Sequence, residues 1–505
     1  MQTTAHSSYW QQTVGPDAPH FPPLDQDIDV DVAIVGGGIT GLTAARWLKE
    51  MGKRVAVIEG LEIGAGTTGF TTGHLDASTD EPLARMISNF GEQAAREVIA
   101  ASRDAINQIE SWCSEAGDCE FARLPSFQYT ESPAGMEALR AQGAAARRLG
   151  LRASLVQHVP LPFACAGAVR IDQQGRLHSL RYLHHLAKEV HGGGCAVFEN
   201  TSARPPEEGQ RSKVETSGGK VTADSVFVAT HSPFLGISSL EFRVYPYQSY
   251  VIGVQVEDHV PDFLFWDDGD PYHYVRLASA AEPSLVLIGG EDHKTGEERD
   301  ERKCYEALEQ YAHDRFNVRS VEHRWSAQHY IPADGLPLVG RVPGNEHIYV
   351  ATGFAGTGLT LGTVAGKLVA NLIMGRSDPL AEILNPGRLT PLASAGEFVS
   401  ENLNVVRRFV GDRFAGPTLN SPLEVPPGKG AIVAADGKRT AVYCDPSGRL
   451  YSFSPVCTHA GCIVHWNDAE RTWDCPCHGG RFTAEGKRFY GPPPADLAPQ
   501  NASGG

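Results

Sequence analysis

The stretch Asp29-Val30-Asp31-Val32-Ala33-Ile34-Val35-Gly36-Gly37-Gly38-Ile39-Thr40-Gly41 decides the fold of most of the chain. A Val-rich run over Asp29–Val35 feeds straight into G-x-G-x-x-G. Leu42–Met51 then reads as a helix, and Arg54–Ile58 as a second strand ending in Glu59. The predicted unit is strand–helix–strand with a glycine turn at its first corner. Glycines there permit a tight turn and let a pyrophosphate approach the backbone at a helix N-terminus, while an acid after the second strand can accept from a ribose hydroxyl. A lone G-x-G-x-x-G is a weak signal, but this one has the strand, helix and acid that its mechanism requires. Gly36, Gly38, Ile39, Thr40, Gly41 and Glu59 are the predicted cofactor contacts.

Further stretches point to FAD rather than a nicotinamide. Ile63–His74 reads IGAGTTGFTTGH, a small-residue loop that lets backbone approach an isoalloxazine ring; it contributes Gly66, Thr67, Thr68 and Gly73. Lys220–Thr230 reads as a strand returning under the cofactor at Ala229-Thr230. After Asp334–Gly340, Ile348–Thr360 runs IYVATGFAGTGLT into a second helix, bringing Gly353, Phe354, Gly356, Thr357, Gly358, Leu359 and Thr360. A helix N-terminus there would face the anionic edge of a reduced flavin. No second dinucleotide motif lies between Glu81 and Arg319, so no NAD(P)H site is expected. Gly192-Gly193-Gly194 follows a helical pattern and reads as a C-cap and turn.

The far end carries the other informative stretch: Cys457-Thr-His459-Ala-Gly-Cys462, then Cys475-Pro-Cys477-His478-Gly479-Gly480. Each half offers a thiolate and an imidazole from one tight loop. Two Cys on one iron and two His on the other is the ligation of a Rieske [2Fe–2S] centre; a structural zinc site is the alternative. Cys457, His459, Cys475 and His478 are the predicted ligands.

A chain of 505 residues implies two or three domains. The 60 acids against 44 bases leave a net charge of −16, which argues against a nucleic-acid partner. Of ten Cys, those outside the two loops show no metal-type spacing. Met1–Gln26 has neither an apolar core nor a twin arginine, and no run approaches the ~18 apolar residues of a membrane span. A cytoplasmic enzyme is expected.

On these motifs, residues 30–375 resemble the D-amino-acid oxidase/glycine oxidase superfamily, most of all its γ-glutamylputrescine oxidase and sarcosine/dimethylglycine branch. Residues 417–497 resemble Rieske proteins, and the whole chain resembles bacterial FAD-dependent oxidoreductases with a C-terminal Rieske domain. The resemblance implies oxidation of a C–N bond in an amine or amino acid. It also implies a Cys462–Cys477 disulfide, with reduced thiols the alternative, and a proline loop over the cluster at Gly491-Pro492-Pro493-Pro494. High-potential relatives carry a Ser and a Tyr hydroxyl where this chain has Gly480 and Phe482; losing both donors implies a lower reduction potential. In sarcosine and dimethylglycine dehydrogenases a histidine holds the flavin covalently; the comparable position here is Phe70, so FAD is expected to bind non-covalently.

The expected fold is an α/β FAD-binding Rossmann-like domain with an α+β antiparallel-sheet substrate domain, followed by a small all-β Rieske domain. The expected boundaries are an extension at 1–28 and the oxidoreductase at 29–375. Within it, FAD-binding segments fall at about 29–80, 155–240 and 325–375, and the substrate domain at about 81–154 and 241–324. A linker with a short helix (Phe398–Phe409) spans 376–416, the Rieske domain 417–497 and a tail 498–505. Tyr250, Tyr272 and Tyr274, on predicted roof strands, together with His74, Gln328 and His329, are candidates for the substrate site, each against an ordinary packing role. His293 reads equally well as structural. Electrons would pass from flavin through the cluster to an external acceptor protein or quinone. The alternatives are an oxidase using O₂ with a structural cluster, and an electron-transfer or redox-sensing protein.

Overall fold

The computed structural model describes residues 7–236, 238–298, 300–389, 418–435 and 438–500; the helix expected at Phe398–Phe409 lies outside them. The opening stretch forms strand Ile28–Val35, helix Ile39–Glu50 and strand Val55–Ile58. The two strands pair in parallel, and Lys220–Val228 joins the other edge of Ile28–Val35, also in parallel. Ile348–Thr352 and Leu338–Arg341 extend the sheet on that side, Ala196–Phe198 on the other. The chain therefore leaves its first strand in one direction and returns on the opposite side. That reversal opens a crevice at the carboxyl ends of the strands, where such sheets bind ligands. A Cβ on Gly41 would lie 2.0 Å from the Gly36 carbonyl oxygen, so the helix packs this close to its strand only with glycine there. Gly192, Gly193 and Gly194, all at positive φ, turn the chain between helix Ser179–Val190 and strand Ala196–Phe198.

A second, nine-stranded and mostly antiparallel sheet covers the crevice. From its Val318–Pro332 edge the strand order runs Val244–Val256, Leu285–Lys294 and His273–Leu277, each antiparallel to the next. Successive side chains of a strand point to opposite faces, so one residue of register decides which of them reach the crevice. Helices Glu92–Ala116 and Met136–Arg148 stand where their apolar spacing places them.

The described residues before the first strand, from Ser7 on, pack against the domain. Ser8 caps a short helix, Tyr9–Thr13, whose Tyr9 and Trp10 are buried. Ser8 Oγ donates to the Gly69 carbonyl at 2.6 Å, and Trp10 Nε1 donates to that of Thr71. Residues 8–10 thus back the small-residue loop, and Tyr9 and Trp10 supply the burial.

The C-terminal domain is all-β. Lys429–Ala435, Lys438–Cys444 and Leu450–Phe453 form one antiparallel sheet. His465–Asn467, Thr472–Asp474, Arg481–Thr483 and Arg488–Tyr490 form another. The domain docks on the oxidoreductase half. Gln328 Nε2 donates to the Gly479 carbonyl at 3.0 Å, Tyr330 Oη to that of His478 at 3.2 Å, and Tyr305 Oη to Glu470 at 2.8 Å. No helix among the described residues is long and apolar enough to cross a membrane.

Candidate functional site

A cavity of about 670 Å³ opens at the crevice and runs under the second sheet. At one end Gly36, Gly38, Ile39, Thr40 and Glu59 line it. Gly36 sits at φ +110°, and a Cβ on it would stand 2.5 Å from the Ala229 carbonyl. Ala229 N–H donates to Val35 at 2.8 Å, which brings Ala229 and Thr230 to the same wall. The helix begins at Gly38, which has no side chain to cap it; Thr68 Oγ1 accepts from the Ile39 N–H at 3.2 Å, and the helix N-terminus lines the cavity. Glu59 accepts from the N–H of Gly37 at 2.8 Å and of Leu61 at 2.9 Å, and burial pushes its carboxyl above the usual range. Gly66, Thr67 and Thr68 line the middle of the cavity. So do Phe354, Gly356, Thr357, Gly358 and Leu359 of the second glycine turn.

An elongated cradle with glycines and a helix N-terminus at one end and a threonine loop in the middle fits FAD. Four of the predicted contacts stand off its wall. Gly41 serves the helix–strand approach described above. A Cβ on Gly73 would strike the Leu177 carbonyl at 2.5 Å, so Gly73 is a packing glycine. Gly353 abuts Val244 and Pro332, and Thr360 is buried inside helix Gly358–Ile373.

The other end of the cavity is walled by the second sheet. His74, Tyr272, Tyr274 and His329 all line it, four of the six expected there. Tyr272 and Tyr274 stand two positions apart and share a face, their ring centroids 6.0 Å apart. Tyr274 Oη meets Ser249 Oγ at 3.1 Å. His74 Nδ1 meets Thr72 Oγ1 at 3.0 Å, while its Nε2 is buried without a hydrogen-bond partner. Burial pushes His74 down to about 3 and His329 to about 4, so both rings are neutral at pH 7.

Tyr250 and Gln328 face away and are corrections to the sequence reading. Tyr250 is buried on the far face, its Oη 2.9 Å from His293 Nε2 and its ring edge-on to Tyr305 at 5.0 Å. The same contact gives His293 its structural role. Gln328 reaches the C-terminal domain, while its neighbours Ala327 and His329 line the cavity. Each error is one residue of strand alternation: Ser249 in place of Tyr250, His329 without Gln328.

Two carboxylates were missed. Asp292 closes on Tyr272, Ser249 and His329, the last at 3.6 Å. Burial pushes it up to about 6, and its Oδ1 is buried without a partner. Asp80 is enclosed by the protein yet keeps an open face on the cavity; it accepts from the Gly356 N–H, and burial pushes it up to about 6 as well. Asp292 directly precedes His293, whose ring meets Tyr250 on the far face, so strand alternation turns Asp292 to the other side. Nothing in the sequence marks Asp80.

The cluster loops meet at the domain boundary. The thiols of Cys457 and Cys475 lie within hydrogen-bonding reach, and the rings of His459 and His478 stand 4.9 Å apart at 84°. His459 Nε2 and both ring nitrogens of His478 are buried without a hydrogen-bond partner. Two facing thiols beside two unsatisfied imidazoles suit a metal cluster better than a packed core, which would pair them. Cys462 and Cys477 form the expected disulfide, Cα–Cα 6.5 Å. The Cys475 sulfur lies within 4.8 Å of both, so the disulfide ties the two loops together beside the ligands. Pro493 packs on the second loop, where a Cβ on Gly480 would meet its Cγ at 2.5 Å. The same segment contributes to the first cavity: Arg488, Phe489, Tyr490 and Gly491 line it. Tyr490 Oη meets Thr67 Oγ1 at 2.6 Å and also His231 Nδ1.

Residues 31–372 match the family model for FAD dependent oxidoreductases, and residues 418–500 match that for the Rieske [2Fe-2S] domain. The chain is 32% identical over 492 residues to the putative Rieske 2Fe-2S iron-sulfur protein YhfW of Bacillus subtilis (strain 168), covering 97% of this chain and 96% of that one. It is 25% identical to the gamma-glutamylputrescine oxidoreductase of Escherichia coli (strain K12), over 74% of this chain and 90% of that one. Among solved structures, glycine oxidase from Geobacillus kaustophilus superposes with a TM-score of 0.59 at 21% identity, over 72% of this chain and 99% of that one. That likeness speaks for the fold alone.

Proposed function

We propose that this chain, which belongs to the FAD dependent oxidoreductase family and carries a Rieske [2Fe-2S] domain behind it, is a dehydrogenase that oxidises a C–N bond of an amine and passes the electrons on through its cluster domain. When bound, FAD supplies a two-electron acceptor for the C–N bond and the cluster a one-electron carrier. Gly36, Gly38, Glu59, Thr67, Thr68 and the second glycine turn would hold the flavin; Cys457, His459, Cys475 and His478 would hold the cluster.

The observation that carries the reading is the shared wall. Tyr490 of the cluster domain reaches into the flavin cavity, while Tyr330, packed edge-on against His231 of the cavity wall at 5.1 Å, donates to the carbonyl of the ligand His478. The two sites share a hydrogen-bonded wall, which supports electron passage between them. An oxidase delivering electrons only to O₂ has no use for that contact. At the substrate end Tyr272, Tyr274 and His329 form an aromatic cover that excludes water, and the neutral His74 and His329 add no positive charge against an amine.

The test is anaerobic mixing of the holoprotein with a series of amines and amino acids. The flavin band should bleach, and the EPR signal of a reduced Rieske cluster should then grow without added reductant. Bleaching with no cluster signal, together with stoichiometric peroxide on admitting air, would favour the oxidase. No bleaching with any amine would favour the sensor.

A further inference from the structure

Tyr490 is not the only polar side chain that the cluster domain turns into the flavin cavity. Arg488 stands two positions before it on strand Arg488–Tyr490, so the two share a face of that strand. Both line the cavity, and among the described residues on its wall Arg488 is the one Arg or Lys.

The protein itself does little to satisfy this guanidinium. Nη1 donates to the Pro493 carbonyl at 3.0 Å, and the group stands 5.6 Å over the Phe234 ring. Among the described residues no carboxylate forms an ion pair with it. Asp496, the acid that acts on it across space, instead takes Lys487 Nζ at 2.8 Å and the Arg488 backbone N–H at 2.9 Å. Burial pulls the guanidinium below its usual range against the opposing effect of Asp496. A guanidinium carries five N–H donors in a fork that fits phosphate oxygens, and one of them is used here.

Its neighbours say which part of a dinucleotide the open donors would meet. Tyr490 Oη meets Thr67 Oγ1 at 2.6 Å, and the next residue, Thr68, accepts through Oγ1 from the Ile39 N–H at 3.2 Å. The strand face carrying Arg488 and Tyr490 thus lies against the loop that touches the first helix N-terminus. Phe234, under the guanidinium, follows shortly after Ala229, whose carbonyl closes on Gly36. In folds of this kind the diphosphate sits at that turn. The isoalloxazine edge is a poorer partner, since it is anionic only when reduced, whereas the diphosphate is charged in every redox state.

We propose that Arg488 of the cluster domain binds the diphosphate of FAD, so that the appended domain completes the flavin site. Cofactor loading and domain docking are then linked, each favouring the other by the same factor. This rests on FAD occupying the cavity and is independent of the amine chemistry proposed above.

The experiment measures FAD binding to full-length, flavin-free protein that keeps its cluster, followed by flavin fluorescence. Arg488→Gln should raise the Kd for FAD at least tenfold. The wild-type Kd should rise with salt more steeply than that of Arg488→Gln, and Arg488→Lys, which keeps the charge, should keep the steeper slope. An unchanged Kd, or a weaker one with the wild-type salt slope, would overturn the phosphate contact. ADP carries the diphosphate without the isoalloxazine, and its competition against FAD should weaken by a similar factor in Arg488→Gln. A loss confined to FAD would assign Arg488 to the ring and overturn the proposal. A further readout needs no variant: adding FAD to the flavin-free wild type should slow amide hydrogen exchange at Arg488–Gly491. Protection that stops within the oxidoreductase half would show that the cluster domain takes no part in the site.

Discussion

Glu241 Oε1 lies 3.8 Å from Nε2 of the cluster ligand His459, across the boundary between the two domains. The other carboxylate oxygen, Oε2, accepts from both N–H and Oγ of Ser238 at 2.8 Å, which leaves Oε1 aimed at the imidazole. The oxidoreductase half thus supplies an outer partner for a ligand carried by the other half. Such partners raise ligand basicity and tune the metal, and a negative charge there opposes an added electron. Glu241→Gln should raise the cluster potential by roughly one tenfold step, about 59 mV for a one-electron couple. Potentiometric EPR on the full chain measures it; a potential that stays put would mean that Glu241 only fixes the domain contact.

The hydroxyl of Tyr490 is the point where the cluster domain enters the flavin cavity. Tyr490→Phe leaves Thr67 and His231 without it and should weaken the docking by about 1–2 kcal/mol. Amide hydrogen exchange should rise together in the Gly64–Thr72 loop and at Arg488–Gly491. A rise on one side alone would place the effect within one domain.

The redox centres were legible because their chemistry demands residues in fixed local spacing. Gly36 to Gly41 and the two Cys/His loops each sit within a single turn, so sequence order and spatial order coincide. The substrate wall is built differently. Ser249, Tyr274, Asp292 and His329 come from four strands, and their meeting depends on register, which one residue of slip inverts. The Tyr250 and Gln328 errors are that slip. Asp80 and Tyr490 were illegible for another reason: each acts through a partner far along the chain, Gly356 and Thr67, and no local pattern encodes either pairing.

Glu301 should make the protein lose stability as pH rises. It is 2% exposed, its Oε2 has no hydrogen-bond partner, and burial pushes its carboxyl from 4.5 up to about 8. The folded state therefore holds a proton that the unfolded chain gives up above about pH 4.5. Stability attributable to this group is intact below that value and declines through pH 8. Glu301→Gln removes the ionisation and should raise Tm at pH 8 while changing little at pH 4.5. The gain is bounded at about 4 kcal/mol, at 1.36 kcal/mol per pKa step. Thermal unfolding of wild type and variant at both pH values tests it; parallel curves would show that Glu301 finds a partner on ionising.

The second contact sphere of the cluster yields the last expectation. A Cβ on Gly480 would stand 3.5 Å from the Cys457 sulfur, so a serine hydroxyl there is within reach of a ligand thiolate. It would also meet Pro493 Cγ at 2.5 Å, and the proline segment must give way to admit it. Phe482 is fully buried in the strand paired with Trp473, which leaves no water to take the place of a missing hydroxyl. Hydrogen bonds to sulfur favour the reduced, more negative state, so each donor restored should raise the potential. A charge-assisted hydrogen bond contributes roughly 1.5–3 kcal/mol, and at about 59 mV per tenfold step a single donor corresponds to about 65–130 mV. Phe482→Tyr should therefore raise the potential alone. Gly480→Ser should do so fully only with Pro493→Ala, and less or not at all without it. Potentiometric EPR of the three variants in the full chain separates the contributions. Equal potentials for Gly480→Ser with and without Pro493→Ala would mean that the proline segment does not govern access to the cluster sulfur. No change in any variant would assign the poise to burial and charge, Glu241 beside His459 among the sources.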